Sequence, residues 1–120
     1  STRVGIITYE TLAMAKIPLS ACTTSDCLKA KIDDILPPYG GRCTGEAIAQ
    51  AIKLLYGSKN PRIIVVTDGP EDCTGSETDS GKEADNARAN GIDIVGVAVG
   101  KDLAKNEKLQ EELKKISGSN

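Results

Sequence analysis

Residues 62–69 read RIIVVTDG. Four consecutive β-branched aliphatic residues have restricted χ1 freedom and fit a pleated surface better than a helix, and Asp68–Gly69 supplies the turn that ends the run. The stretch predicts a strand over Ile63–Thr67, with Asp68 at its C-terminal end. No polar residue alternates with the apolar ones, so the strand reads as covered on both faces, the pattern of a parallel sheet flanked by helices. Val4–Tyr9 (VGIITY) and Ile92–Val99 (IDIVGVAV) share this character and predict two further strands.

Helical periodicity fills the intervals. Leu28, Ile32, Ile35 and Leu36 make one apolar stripe, Ala47, Ile48, Ala51, Ile52 and Leu55 a second, and Leu109, Leu113 and Ile116 a third. A short helix is expected around Glu83–Asn90. Thr23–Asp26 offers several N-cap candidates. Thr44 reads as the cap of a Gly45–Tyr56 helix that Gly57 can end, and Pro37–Pro38 stops the helix before it. Leu12–Ser20 (LAMAKIPLS) is a weaker strand whose Pro18 suits a sheet edge, and its closeness to the first strand makes it an antiparallel hairpin partner. The order becomes strand, edge strand, helix, helix, strand, short helix, strand, helix. That is a doubly wound α/β arrangement: a mostly parallel sheet with one antiparallel edge strand and helices on both faces. A length of 120 residues suits one domain rather than two.

Composition excludes several classes of function. Fifteen basic and seventeen acidic residues, with no basic run, argue against a nucleic-acid surface. No apolar stretch approaches the roughly 20 residues of a membrane span. The chain has no histidine, which removes the commonest general base and the usual nucleophile–histidine pairs, so a non-enzymatic role is expected. No phosphate-loop motif occurs either. With three tyrosines, no Phe and no Trp, the core must be aliphatic.

Cys22, Cys27, Cys43 and Cys73 are an even number in a small domain, which points to two disulfides and a secreted, extracellular setting; three full pairings are open. A zinc site is a rival reading, but these spacings match no zinc motif. Four reduced thiols in a cytosolic protein are the remaining alternative.

Four passages taken together, TRVGIITYE, GGRCTGEAIAQAI, RIIVVTDG and GIDIVGVAVG, resemble the von Willebrand factor A domain family, and they span nearly the whole of residues 1–120. The resemblance implies a Rossmann-like sheet and an extracellular adhesion or matrix module that binds a protein ligand, such as collagen. It also implies a metal-ion-dependent adhesion site at the C-terminal edge of the sheet, where Mg²⁺ or Mn²⁺ would be completed by an acidic residue of the partner. On that reading Asp68 and Thr44 are the metal candidates, and the ligand loops run over Gly40–Thr44 and Asp68–Cys73, with Gly41, Arg42, Thr44, Gly69, Glu71 and Asp72 as contacts.

Each candidate also has a plainer role. Asp68 also suits a turn residue, and Thr44 a helix cap. The acidic series Asp68, Glu71, Asp72, Glu77, Asp79, Glu83 and Asp85 suits calcium or a solvated loop. A Cys43–Cys73 disulfide would lock the binding face, and a Cys22–Cys27 bridge would close the short TTSD loop.

The chain also departs from the family pattern. It contains no Asp-x-Ser-x-Ser motif, and the family strand that carries it would precede Ser1. Arg42 stands where the family has a metal-site threonine, able either to pair with Asp68 in place of a cation or to face solvent. The family's first strand lies between the strands matching Val4–Tyr9 and Ile63–Thr67. Three explanations are open: the chain is part of a longer one, which is the favoured reading; a second copy supplies the strand by self-association; or the remaining strands close up. A structural assembly module that binds no cation is the alternative function.

Overall fold

A computed structural model describes residues 3–10, 13–35, 41–73 and 79–118. In chain order the elements are β1 (Ile6–Tyr9), β2 (Ala13–Ile17), α1 (Ser25–Asp33), α2 (Thr44–Leu54), β3 (Arg62–Thr67), α3 (Ser80–Ala89), β4 (Asp93–Ala98), a 3-10 turn (Leu103–Lys105) and α4 (Glu107–Ser117). This is the expected α/β order. The readings placed on Leu12, Leu36, Pro37, Pro38, Gly40 and Glu77 lie outside the described residues.

β1 and β2 form the expected antiparallel hairpin, Tyr9 facing Ala13 and Thr8 facing Met14. β3 and β4 pair in parallel, from Arg62 opposite Asp93 to Thr67 opposite Ala98. The two pairs remain separate two-stranded sheets, so closing-up of the remaining strands is not what this chain does. α2 joins them by packing on β1, β2 and β3, and Gln50 Nε2 donates to the Ala13 carbonyl at 3.3 Å.

The core lies under one face of the β3–β4 pair. Ile63, Val65, Ile92 and Ile94 meet Ile48 of α2, Ala84 and Ala87 of α3, and Ile116 of α4. Gly96 lets α4 come close, because a Cβ there would lie 2.9 Å from Leu113 Cδ2 and 3.3 Å from Ile116 Cγ2. Burial along β3 alternates strictly, exposed at Arg62, Ile64 and Val66 and buried at Ile63, Val65 and Thr67. The expectation of strands covered on both faces therefore needs correction within this chain. Successive side chains point to opposite faces, and α2, α3 and α4 all contribute to the same core, leaving Ile64 60% and Val66 53% exposed. The first apolar stripe also finds no core, since α1 buries no residue and Ile32 is exposed.

Helix ends follow their caps, with one exception. Thr24 accepts from Cys27 N, Asp79 from Lys82 N and Asn106 from Leu109 N. Thr44 does not cap α2. It is the helix's first residue, the N-cap is Cys43, and no side chain of Cys43 closes the turn.

The alternation in β3 predicts unequal costs for two neighbouring truncations. Ile63→Ala should destabilise the fold by about 2–5 kcal/mol through lost burial and a residual cavity. Ile64→Ala should stay within about 0.5 kcal/mol, as exposed positions do. Urea denaturation of both variants measures the contrast.

Candidate functional site

The C-terminal ends of β1 and β3 and the N-terminus of α2 converge on one edge. Cys43 N donates to the Glu10 carbonyl at 2.8 Å, which brings α2 to the end of β1. Arg42 and Asp72 exchange two backbone hydrogen bonds of 2.8 and 3.0 Å, a short antiparallel bridge between the loop before α2 and the loop after β3. The Cys43–Cys73 disulfide closes the same junction, and Cys22 is bonded to Cys27. Both bridges considered from the sequence are thus present. On loop-closure grounds a bridge spanning 30 residues stabilises by about 3.5 kcal/mol, the short one by about 2.

On this platform the Arg42 guanidinium meets Asp68, Nε donating to Oδ1 at 2.9 Å. The pair is open to solvent, with side chains 37% and 71% exposed, so it contributes only about 0–1 kcal/mol to stability. The hydrogen bond from Arg42, assisted by its charge, holds the Asp68 carboxyl below its ordinary value. Gly69 makes the approach available: a Cβ there would sit 2.7 Å from Arg42 Cζ. Thr67 fixes the strand end, its buried hydroxyl donating to the Gly69 carbonyl at 2.7 Å.

Beneath this surface lies a second layer that the sequence did not disclose. Glu71 turns inward, and its carboxylate accepts from Gly45 N at 2.5 Å and Ser80 N at 3.1 Å. One anion thereby closes the first turns of α2 and α3, where unpaired amides and the helix dipole favour negative charge. Glu112 of α4 holds Glu71 in turn. Its carboxylate accepts from Glu71 N at 3.0 Å and from Ser80 Oγ at 2.9 Å. Burial pushes the Glu112 carboxyl above its ordinary value, with the hydrogen bonds from Ser80 and Glu71 acting in opposition.

The sequence candidates therefore divide. Arg42, Asp68 and Asp72 stand at the rim beside Gly41. Glu71 and Gly69 lie under it, one as a shared cap and the other as a clearance. Thr44 is fully buried, and its hydroxyl has no hydrogen-bond partner among the described residues. The acidic series is dispersed: Asp79 caps α3, Asp85 pairs with Arg88 at 2.6 Å, and Glu71 serves two helices. Among the described residues no three His, Cys, Asp or Glu side chains are grouped to hold a metal. Beside the rim runs a groove of about 430 Å³ between β1 and β3, lined by Ile7, Thr8, Tyr9, Val66, Thr67 and Val99 among others. Tyr9 OH reaches across it to the Val66 carbonyl at 3.5 Å.

The family profile of the von Willebrand factor type A domain matches residues 1–120. The chain belongs to that family. Matrilin-4 of Homo sapiens is 32% identical over 110 residues, covering 82% of this chain and 17% of matrilin-4. The collagen alpha-1(XXI) chain of Xenopus laevis is also 32% identical, covering 88% of this chain and 11% of that one. The chain thus spans less than a fifth of the length of these relatives. The fold matches that of proximal thread matrix protein 1 from the mussel byssus, with a TM-score of 0.81 at 22% identity over 98% of this chain and 28% of that one. That protein has also been solved with a zinc-occupied metal-ion-dependent adhesion site motif. In the present von Willebrand factor A domain the described residues do not fit such an ion: the Asp68 carboxylate is paired with a guanidinium, and the Thr44 hydroxyl is buried.

The elevated pKa of Glu112 has a measurable consequence. A group whose folded pKa is raised adds stability below its unfolded value, near 4.5, and that contribution is lost as pH rises through the folded value. Glu112→Gln should therefore raise the melting temperature at about pH 7 relative to that at about pH 4, compared with the parent chain. An unchanged difference would show that Glu112 titrates as it does in the unfolded chain.

Proposed function

We propose that this von Willebrand factor A domain is a non-catalytic, extracellular protein-binding module of a matrix or adhesion protein. Its contact surface is the rim formed by Gly41, Arg42, Asp68 and Asp72. The observation that carries this reading is the locked edge itself. Two loops are fixed to each other by a backbone bridge and a disulfide, and they present charged side chains at the C-terminal ends of strands, where α/β sheets bind ligands. The kinship with a collagen chain and a matrilin supports a matrix setting, and two disulfides suit an oxidising compartment. The Glu112 carboxylate is engaged beneath the loop by Glu71 N and Ser80 Oγ.

Collagen is the first ligand to test. Binding of the chain to immobilised collagen and to other matrix proteins should weaken at least about tenfold in Asp72→Lys, a change of about 1.4 kcal/mol, while the melting temperature stays unchanged. Equal binding by the variant would remove the rim from the interface.

One observation favours a structural alternative, in which the domain assembles and does not capture a ligand. The outer face of β3–β4 exposes Ile64, Val66, Val95 and Val97 beside the β1–β3 groove. Self-association through a shared strand would cover both. Light scattering on the same samples separates the two readings: a monomer that binds collagen supports the first, and a dimer that does not bind supports the second.

A further inference from the structure

We infer that Arg42 takes the place of a divalent cation in this domain, so that the binding edge is assembled with a permanent, covalently tethered positive charge. Four features of the edge carry this. The guanidinium Nε lies 2.9 Å from Asp68 Oδ1, on the carboxylate that a cation would need. Position 69 is glycine, and a Cβ there would lie 2.7 Å from Arg42 Cζ, so the guanidinium occupies space that a larger residue would contest. The Arg42 backbone is held by reciprocal bonds to Asp72, and the adjacent Cys43 is bonded to Cys73. No cluster of three acidic, cysteine or histidine side chains is available for a metal among the described residues.

These features act together. An exposed ion pair ordinarily forms weakly because two long side chains must be ordered. Here the backbone and disulfide order the arginine's attachment point, and the strand end orders the aspartate. A dissolved cation would compete for Asp68 against a charge that is always nearby, and tethering at short range corresponds to an effective concentration of order millimolar or more. A guanidinium also keeps its charge at every accessible pH. Arriving at the rim, Mg²⁺ would meet a like charge and a carboxylate already paired.

This inference deepens the proposed contact surface, yet its test needs no protein partner. Mg²⁺, Mn²⁺ and Zn²⁺ are titrated separately into the full chain, and the backbone amides of residues 41–45 and 68–73 are followed by NMR. The same titrations are run on Arg42→Ala, Arg42→Lys and Gly69→Ala, with Asp68→Ala as the control. Retained dispersion of the β3 and β4 amides certifies that each variant is folded.

In the parent chain and in Arg42→Lys no saturable, Asp68-dependent shift is expected up to millimolar metal. In Arg42→Ala, Asp68-dependent Mn²⁺ affinity should rise at least about tenfold, the effect of deleting one positive charge roughly 4 Å from a divalent ion in water-like dielectric. Gly69→Ala, which crowds the guanidinium without removing it, should move in the same direction to a smaller extent. A saturable Asp68-dependent shift in the parent chain would overturn the inference. So would silence in both the parent chain and Arg42→Ala, because Arg42 would then not be what keeps metal away. Loss of collagen binding in Asp72→Lys bears on the contact surface and leaves this result untouched.

Discussion

The amide of Gly45 and the amide of Ser80 share one acceptor, the carboxylate of Glu71, and the geometry of the sheet edge depends on that sharing. α2 begins at a half-cystine whose sulfur is committed to a disulfide, so its N-cap residue offers no side-chain acceptor. The orphan amides of its first turn must be met from elsewhere. Glu71 meets one of them, Gly45 N, while also accepting from Ser80 N of α3, and its negative charge suits the positive end of both helices. The loop that carries it is thereby tied to α2 and α3. Through Glu112 it is tied to α4 as well. Asp68 starts this loop, and Asp72, which bridges to Arg42, follows Glu71 directly. The rim is therefore an outgrowth of helix capping two residues deep.

Two consequences for the sheet follow. The β3–β4 pair receives its three helices on one side, where the aliphatic core of isoleucine, valine and alanine forms without any Phe or Trp. Its other side carries β-branched residues to solvent. The β1–β2 pair stays apart, linked to β3 through α2 and by the long contact from Tyr9 to the Val66 carbonyl. Spacing is kept by packing: α2 touches β1, β2 and β3 at once, so drawing the sheets together would mean displacing α2, with Ile48 fully buried at the centre of the core.

Much of this was legible in the residues. Runs such as IIVVT and IDIVGVAV point to β3 and β4, and the stripe containing Ile48 to α2; the edge strand expected over Leu12–Ser20 ends at Ile17, before Pro18. Arg42 and Asp68 could be paired on paper because a resemblance aligned them. What escaped notice depends on distance in sequence. Glu112 sits in a helix of mixed charge, 41 residues from the amide it accepts; nothing distinguishes it there from Glu107 or Glu111, which face solvent. Thr44 misled for a related reason. A threonine before a helix is a good cap by propensity, but here Glu71 closes the turn from across the fold, and the helix starts one residue earlier. Two-faced apolarity in β3 records what the strand is suited to touch, while the helices of this chain reach only one of its faces.

An exposed ion pair is a weak stabiliser, and the Arg42–Asp68 pair is no exception. Its surroundings argue that position, not energy, is what the fold secures. The disulfide and the reciprocal bridge to Asp72 hold the backbone from which the guanidinium extends, and the bare Cα of Gly69 leaves it room. They place a cationic group beside the end of β3, with its charge kept across pH. Binding surfaces gain affinity chiefly by removing the cost of ordering their contact groups. If the rim is the contact surface proposed above, its tethered charge, cross-linked loops and shared helix-capping carboxylate meet that cost within the fold itself.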